Sequence, residues 1–264
     1  MPRDTLSVIT LNVLFGGEER MDLITSLLHR EQPDLVILQE CLGWEDGERL
    51  RQVAKAIDAT DVHLGRARAR ASGNRYHVGI ASRVPLLFAR THNDAREVGH
   101  CIVEFAIPFA QTTLHGFATH FDASSEDLRL KDARKVNSLA AGPAEGFALL
   151  AGDLNALSPR DPYPPDFDAR LVAAATDKYG HPARFDVIRT LEAFGWSDTL
   201  HATSPEHWVT AHRDRGGVPI DTRTDYVFVS PRLLPHLLRA RVVDTHGASD
   251  HNAVAATFSL TNVR

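Results

Sequence analysis

The chain alternates between short apolar runs and segments in which apolar residues recur at helical spacing. The apolar runs predict strands, since several are rich in β-branched residues and bounded by Gly, Pro or Asp. They are LSVITLNVLF, PDLVILQEC, YHVGIASRVPL, HCIVEFAI, TTLHGFATHF, GFALLAGDLNA, TDYVFVSP, ARVVDT and NAVAATFSL. Helices are predicted in RMDLITSLLHREQ, GERLRQVAKAIDA, SEDLRLKDARKVNSLAA and RFDVIRTLEAFG, the last closed by Gly195. Adjacent strands with short links favour two packed sheets with helices outside over a doubly wound parallel sheet.

No linker interrupts this pattern, so we expect one domain over residues 1–264. With 43% hydrophobic and 24% charged residues, the composition is that of a soluble globular protein. No run of about 18 apolar residues occurs, and we expect no membrane insertion. The N-terminus shows no secretory signal, and the chain has two cysteines, Cys41 and Cys101, so we expect a reducing, cytoplasmic setting. We also expect a monomer.

The net charge of the chain bears on whether its substrate is duplex DNA. The formal charge of −5 does not match a protein that coats duplex DNA with cations. A local cationic patch is still compatible with that balance. The segment GRARARASGNR carries four arginines and is either a solvated surface loop or a patch that steers phosphates.

Polar residues stand at or beside the ends of the apolar runs. They are Asn12, Glu40, His120, Asp153, Asn155, Asp225, Asp250 and His251. Burying one such group costs several kcal/mol unless it is paired or bound to a metal, and a single one is usually structural. Eight in the same relation to strands predict that the strand ends converge on an oxygen-rich pocket flanked by histidine. Oxygen donors favour Mg²⁺ or Mn²⁺, and no zinc, serine-hydrolase or P-loop motif is present.

The segments TLNV, PDLVILQE, GDLNA, TDYVFVS and SDH, in this order, resemble the endonuclease/exonuclease/phosphatase superfamily, which has the DNase I-like fold. The resemblance spans nearly the whole chain. It implies an α+β architecture: a four-layer α/β/β/α sandwich of two mostly antiparallel sheets with outer helices. It also implies divalent-metal-dependent hydrolysis of a phosphoester bond by in-line attack of an activated water.

The resemblance assigns a role to each polar position. Glu40 would be the principal metal-binding carboxylate, with Asn12 and Asp250 also on the metal side. Asp153 would orient or activate the attacking water, and Asn155 would bind the scissile phosphate.

The two histidines of the motif would handle the proton and the phosphate. His251 would contact the phosphate or take a proton, with Asp225 setting its tautomer, because a carboxylate on one ring nitrogen determines which nitrogen is free. His120 would be the general acid for the leaving oxygen.

The resemblance leaves the substrate open, since this fold serves nucleic acids and small phosphorylated molecules alike. Residues of three irregular segments are candidate substrate contacts: Lys178, Tyr179, His181, Trp208, Arg213 and Arg215. For Trp208 packing under a loop is an equal alternative, and for the two arginines solvation is the alternative. Arg223, beside Asp225, is expected to be structural. Asp161, Asp166 and Asp168 lie in a proline-rich segment that is expected to be a surface loop, and they are expected to be dispensable for hydrolysis.

Two other function classes stay open at this point. One is a biosynthetic enzyme that uses the same metal site on a small phosphorylated metabolite or on a non-phosphate bond. The other is a non-catalytic binding module on the same fold, which the presence of Glu40, Asp153 and His251 disfavours.

Overall fold

The computed structural model describes residues 4–203, 206 and 208–261. Its strands are β1 Thr5–Asn12, β2 Leu35–Gln39, β3 Asp61–Gly65, β4 Val78–Ser82, β5 Phe88–His92, β6 Cys101–Phe109, β7 Thr112–His120, β8 Phe147–Asp153, β9 Ser197–Asp198, β10 Ala211–Arg215, β11 Val218–Thr222, β12 Asp225–Val229, β13 Leu237–Val243 and β14 Ala253–Ser259. Its α-helices are α1 Met21–Glu31, α2 Glu48–Ala56, α3 Glu126–Ala140, α4 Phe167–Ala173, α5 Asp186–Phe194 and α6 Thr199–Thr203. Short 3₁₀ segments cover Phe15–Arg20, Pro143–Glu145 and Leu234–His236.

Twelve of the strands form two six-stranded sheets. One has the order β13-β14-β1-β2-β4-β3 and the other the order β5-β6-β7-β8-β12-β9. The neighbours β1–β2 and β7–β8 are parallel, and the other pairs within the sheets are antiparallel. The mostly antiparallel arrangement that the sequence predicted is therefore confirmed.

Three apolar clusters define four layers. The central cluster joins side chains from both sheets, for example Val8 and Ile37 with Phe105 and Leu149. A second cluster packs α1 and α2 on the outer face of the first sheet. A third packs α3 and α5 on the outer face of the second sheet. This is the predicted α/β/β/α sandwich. Among the described residues, no helix has the length and apolar character needed to span a bilayer.

The twofold period of strands carries the site residues into the space between the sheets. In β8, Leu149 and Ala151 point into the central cluster, so Asp153 points the same way at the end of the strand. The same count places further strand-end side chains on inner faces: Asn12, His120 and Asp225. Polar groups therefore gather at one edge of the sandwich, where the apolar core ends.

Two expectations about the connecting segments were wrong. The segment that carries Arg213 and Arg215 is not an irregular loop, because β10 and β11 form a separate two-stranded hairpin. Asp161 is not on the surface: its side chain is 4% exposed and pairs with Arg223 at 2.8 Å. Arg223 also pairs with Asp198 at 2.5 Å, which makes it structural, as predicted.

Candidate active site

The strand register aligns three of the polar residues in one row. Asp153 of β8 lies opposite His120 of β7 on one side and opposite Asp225 of β12 on the other. Asn12 reaches this row from the facing sheet and donates a hydrogen bond from Nδ2 to Asp153 Oδ2 at 3.0 Å. Two strands that lie 141 residues apart in the sequence thus meet at one point.

Asn12 holds two carboxylates together. Its Nδ2 also donates to Glu40 Oε1 at 3.2 Å, while its Oδ1 accepts from the Leu14 backbone N at 2.9 Å. Its oxygen keeps a second lone pair, so a role of Asn12 in holding metal or phosphate stays a prediction. In the structure Asn12 positions Glu40 and Asp153.

Glu40 is held in an unusual backbone conformation just after β2. Its φ is 57°, in the left-handed region that disfavours residues with a Cβ, and such strain is often concentrated at functional sites. The second carboxylate oxygen, Oε2, accepts from the Phe15 backbone N at 3.0 Å. The Glu40 carboxylate is therefore fixed by hydrogen bonds to both of its oxygens.

The segment 14–18 that supplies this backbone N has five consecutive residues with positive φ. Side chains from outside the segment hold it in place. Trp44 Nε1 donates to Gly16 O at 2.9 Å, Arg49 Nη1 donates to the same oxygen at 3.0 Å, and Arg20 Nη2 donates to Leu14 O at 2.6 Å. We call residues 14–18 the strained turn.

Asp250 and His251, adjacent in the sequence, have different surroundings. His251 Nδ1 lies 2.8 Å from Asp225 Oδ2, while Asp250 is partly exposed and lines the cavity beside the site. The turn that carries both residues is fastened to β1, since Ser249 Oγ donates to Asn12 O at 2.6 Å. The Asp225 carboxylate selects the His251 tautomer with the proton on Nδ1 when the ring is neutral, as predicted.

The surroundings of His251 favour its protonated form. Burial acts to lower its pKa, but the Asp225 carboxylate outweighs burial and raises the pKa to about 9. Contact with the phosphate suits a protonated ring, and the other expected role, proton uptake, stays a prediction, because a cation bound nearby would lower this pKa. Burial raises the pKa of Asp225. Burial acts in the same direction on Asp153, but the neighbouring His251 outweighs it, and the pKa of Asp153 is lowered.

His120 is in the opposite condition to His251. Burial lowers its pKa and outweighs the attraction of Asp153, whose Oδ2 lies 3.7 Å from His120 Nε2. Neither ring nitrogen of His120 has a hydrogen-bond partner among the described residues. The ring is therefore neutral in the free protein at pH 7. The expected acid role requires that a bound anionic phosphate restore the proton, since nearby negative charge favours imidazolium.

His120 stacks on a second buried histidine, which no pattern in the sequence indicates. The ring centroids of His100 and His120 lie 4.5 Å apart with an interplanar angle of 7°. Burial, with the charge of Arg70, lowers the pKa of His100 well below its ordinary value. Arg70 Nη1 lies 3.3 Å from His100 Nε2 and donates to Asp122 Oδ2 at 3.1 Å.

Asn155 is engaged within the protein. Its Oδ1 accepts from Lys178 Nζ at 2.5 Å, and its Nδ2 donates to Phe121 O at 3.1 Å. Lys178, an expected substrate contact, is 8% exposed and binds Asn155. It does not line the cavity beside the site. A phosphate contact by Asn155 requires that one of these two hydrogen bonds be exchanged.

A cavity of about 510 Å³ opens beside the row of polar residues. Glu40, His120, Asn155, Asp250 and His251 all line it. Such a volume is within the range of small-ligand sites. Most of the residues expected to carry chemistry therefore reach a single space.

Of the six expected substrate contacts, two line this cavity, Arg213 and Arg215, both from β10. Arg213 Nη2 lies 3.4 Å from His251 Nε2, and its buried Nε has no hydrogen-bond partner among the described residues. A buried guanidinium with a donor unused, beside an imidazole, is a setting that favours a bound anion.

The remaining expected contacts lie elsewhere. Tyr179 is 2% exposed and packs in an apolar cluster under α4 and β11. His181 pairs with Asp177 at 3.2 Å, and neither lines the cavity. Trp208 packs edge-on against Tyr163 with ring centroids 5.5 Å apart, which is the packing alternative.

The donor set fits a hard divalent cation. Glu40 and Asp250 present carboxylate oxygens to the same cavity, and such oxygens are the ligands that Mg²⁺ and Mn²⁺ prefer. A tighter group of possible ligand atoms is formed by Asp153, Asp225 and His251, which lie within 4.8 Å of one another. Asp153 and Asp225 do not line the cavity, whereas Glu40 and Asp250 do, so Glu40 and Asp250 are the better candidates.

No curated relative matches this chain by sequence. Comparison with solved structures finds the same fold at low identity. An AP endonuclease from Archaeoglobus fulgidus has a TM-score of 0.70 at 17% identity, covering 96% of this chain and 99% of that one. An endonuclease/exonuclease/phosphatase family protein from Leptotrichia buccalis has a TM-score of 0.69 at 15% identity, covering 95% and 98%. TDP2 of D. rerio, complexed with a single-strand DNA product, has a TM-score of 0.68 at 17% identity, covering 97% and 100%.

The family comparison agrees with the fold. The model of one family matches residues 9–251, a span that begins inside β1 and ends at the buried histidine bound to Asp225. The match thus includes every strand end described above. The chain belongs to the Endonuclease/Exonuclease/phosphatase family.

Proposed function

We propose that the protein hydrolyses a phosphoester bond by in-line attack of water, with Mg²⁺ or Mn²⁺ as its cofactor. One observation carries this proposal: carboxylates, imidazoles and a guanidinium with an unused donor converge on one cavity at the edge of the two sheets. Hydrolysis of a phosphoester needs charge neutralisation, an aligned water and protonation of the leaving oxygen. Each need has a candidate residue here.

Glu40 and Asp250 are the proposed ligands of the cation, and Asn12 keeps the Glu40 carboxylate in place. When bound, the cation supplies positive charge beside the phosphate and helps to orient it. Arg213 and the protonated His251 add positive charge from the hairpin side, where they lie 3.4 Å apart. The two sides together would hold an anionic phosphate between them.

Asp153 is the proposed group that orients the water and accepts its proton. Its lowered pKa keeps the carboxylate ionised, and its hydrogen bond from Asn12 fixes one oxygen. His251 would donate from Nε2 to a phosphate oxygen, because its Nδ1 is held by Asp225. His120 would protonate the leaving oxygen once the bound phosphate has restored its proton.

The substrate class within this reaction is a phosphodiester or nucleic acid in our proposal, with a phosphomonoester as the alternative outcome. Two of the structural neighbours are by name an AP endonuclease and a TDP2 complexed with single-strand DNA product. The net charge of −5 argues against a broad duplex-binding surface, so recognition would depend on contacts inside the cavity.

The test is hydrolysis of nucleic acids, inositol phosphates and aryl phosphodiesters with Mg²⁺ or Mn²⁺, compared with EDTA. We expect metal-dependent turnover that Glu40→Gln nearly abolishes, together with weaker Mn²⁺ binding by calorimetry. Glu48→Gln, the same chemical change at an exposed position of α2 outside the cavity, is the matched control. Unchanged Mn²⁺ affinity and unchanged rate in Glu40→Gln would remove Glu40 from the site.

A further inference from the structure

One wall of the cavity is a continuous array of aromatic rings. Phe15 and Tyr76 have ring centroids 6.3 Å apart. Tyr76 stands edge-on to His100 at 5.5 Å and to His120 at 6.5 Å, which are themselves stacked. We call Phe15 and Tyr76 the aromatic wall, because they form the outer part of this array.

Phe15 is exposed in a position where no core packing requires it. Its side chain is 45% exposed and lines the cavity, and its backbone φ is 49°. A non-glycine residue at this φ costs free energy, so the surroundings must determine the conformation. The hydrogen bond from Phe15 N to Glu40 Oε2 explains the backbone, but it does not explain a large apolar ring facing solvent.

Charged groups line the same cavity. Arg213, Arg215, Asp250 and His251 line it, and Glu40 and Arg70 line it next to the aromatic rings, since Glu40 accepts from the Phe15 backbone N and Arg70 lies 3.3 Å from His100. The cavity therefore combines charged groups suited to a phosphate with an exposed aromatic surface suited to a planar group. A cavity of about 510 Å³ has room for both in one small molecule or in one terminal unit of a larger one.

We propose that the aromatic wall binds one planar ring attached to the phosphoester, either a nucleobase or an aryl group. This deepens the proposed function and rests on it, since the phosphate is placed among the charged groups of the same cavity. Aromatic side chains stack on any planar π-face, and this gives affinity with little dependence on hydrogen bonding. Phe15 is then a specificity-determining residue that selects ring-bearing phosphates.

The test compares equilibrium binding within two matched pairs of ligands in the presence of Mn²⁺, by calorimetry. The pairs are adenosine 5′-monophosphate against ribose 5-phosphate, and phenyl phosphate against methyl phosphate. We expect the wild-type protein to bind the ring-bearing member of at least one pair about fivefold more tightly or better, the lower end for one stacked ring. The pair that shows the preference identifies the ring.

Phe15→Ala should remove most of this preference, and Phe15→Trp should keep it. Ala and Trp both have a Cβ, as Phe does, so the backbone strain at φ 49° is the same in both variants. Phe88→Ala is the control, since Phe88 is also exposed, at 39%, but lies on β5 and does not line the cavity.

Equal binding within both pairs, or a preference that survives in Phe15→Ala, would overturn the inference while leaving the phosphate site intact. Binding of none of the four ligands would overturn it as well, and would also count against the proposed phosphoester site.

Discussion

Replacing Asp161 by Ala should destabilise the fold and leave the chemistry unchanged. Asp161 belongs to the segment that the sequence marked as dispensable, yet its carboxylate accepts from Arg223 Nε at 3.1 Å and pairs with Nη2 at 2.8 Å. The Arg223 side chain is 1% exposed. Its charge is therefore compensated by protein groups rather than by water.

Breaking a buried ion pair by removing one partner costs about 3–5 kcal/mol, because a buried charge is left uncompensated. Arg223 keeps Asp198, 2.5 Å from its Nη1, so we expect the lower end, about 3 kcal/mol. For a chain of 264 residues this corresponds to a fall in Tm of roughly 5–6 °C.

Thermal unfolding of Asp161→Ala and of Asp166→Ala measures the difference. Asp166 lies five residues away in the same segment, and its partner Arg170 is on the surface, so its loss should change Tm little. Hydrolysis per folded molecule should be the same in both variants below their melting temperatures. Equal Tm values for the two variants would show that the Arg223 ion pair contributes nothing net to stability.

Three further outcomes are expected. The hydrolysis rate of His120→Ala should fall by about 10² or more on an alkyl phosphoester and by less on a nitrophenyl ester, whose leaving group needs little protonation, while the rate of His251→Ala should fall by similar factors on both substrates. Rates on the two substrates are measured with metal saturating. Equal losses in both variants on both substrates would refute the acid role of His120. Gly152→Ala should lower the free energy of unfolding by more than about 3 kcal/mol in chemical denaturation. The added Cβ would lie 1.9 Å from the Thr119 backbone O, which is held by strand pairing and cannot move aside as a side chain could. A smaller loss would show that β7 and β8 can shift apart. In the folded state the pKa of His100 lies below its ordinary value of 6.5, so below pH 6.5 the unfolded chain binds a proton that the folded chain does not. The contribution of His100 to the free energy of unfolding should therefore be complete above about pH 6.5 and be lost as the pH falls. The free energy of unfolding should fall less steeply from about pH 6.5 to 5 in His100→Gln than in the wild type, and an identical slope would contradict this.

The strands, the layers and the edge where the site lies were predictable because they depend on local pattern. Asp153 ends an apolar run in which alternate residues point inward, and that alternation alone places its side chain between the sheets. The β10–β11 hairpin was missed, although its Gly216-Gly217 pair is a recognised two-residue turn signal. Its flanking residues are mostly polar, so the apolar alternation that indicates a strand is weak there.

The hydrogen bonding inside the site was not predictable, because it depends on partners far apart in the sequence. Lys178 faces Asn155 rather than substrate, and Asp161 is buried through an arginine 62 residues away. The stacking of His100 on His120 follows from the pairing of β6 with β7, which sets Cys101 opposite His120. Residue types and spacing suggest that such groups converge, but the partner of each atom is decided by tertiary packing.

The strained turn has a consequence for the kinetics of ligand capture. Trp44, Arg49 and Arg20 hold its carbonyl groups in place, so the Glu40 carboxylate and the Phe15 ring are already arranged before a ligand arrives. A preformed site loses little conformational entropy on association. The rate of encounter is then set by diffusion and by attraction between an anionic ligand and the arginines of the hairpin, rather than by the closing of a loop.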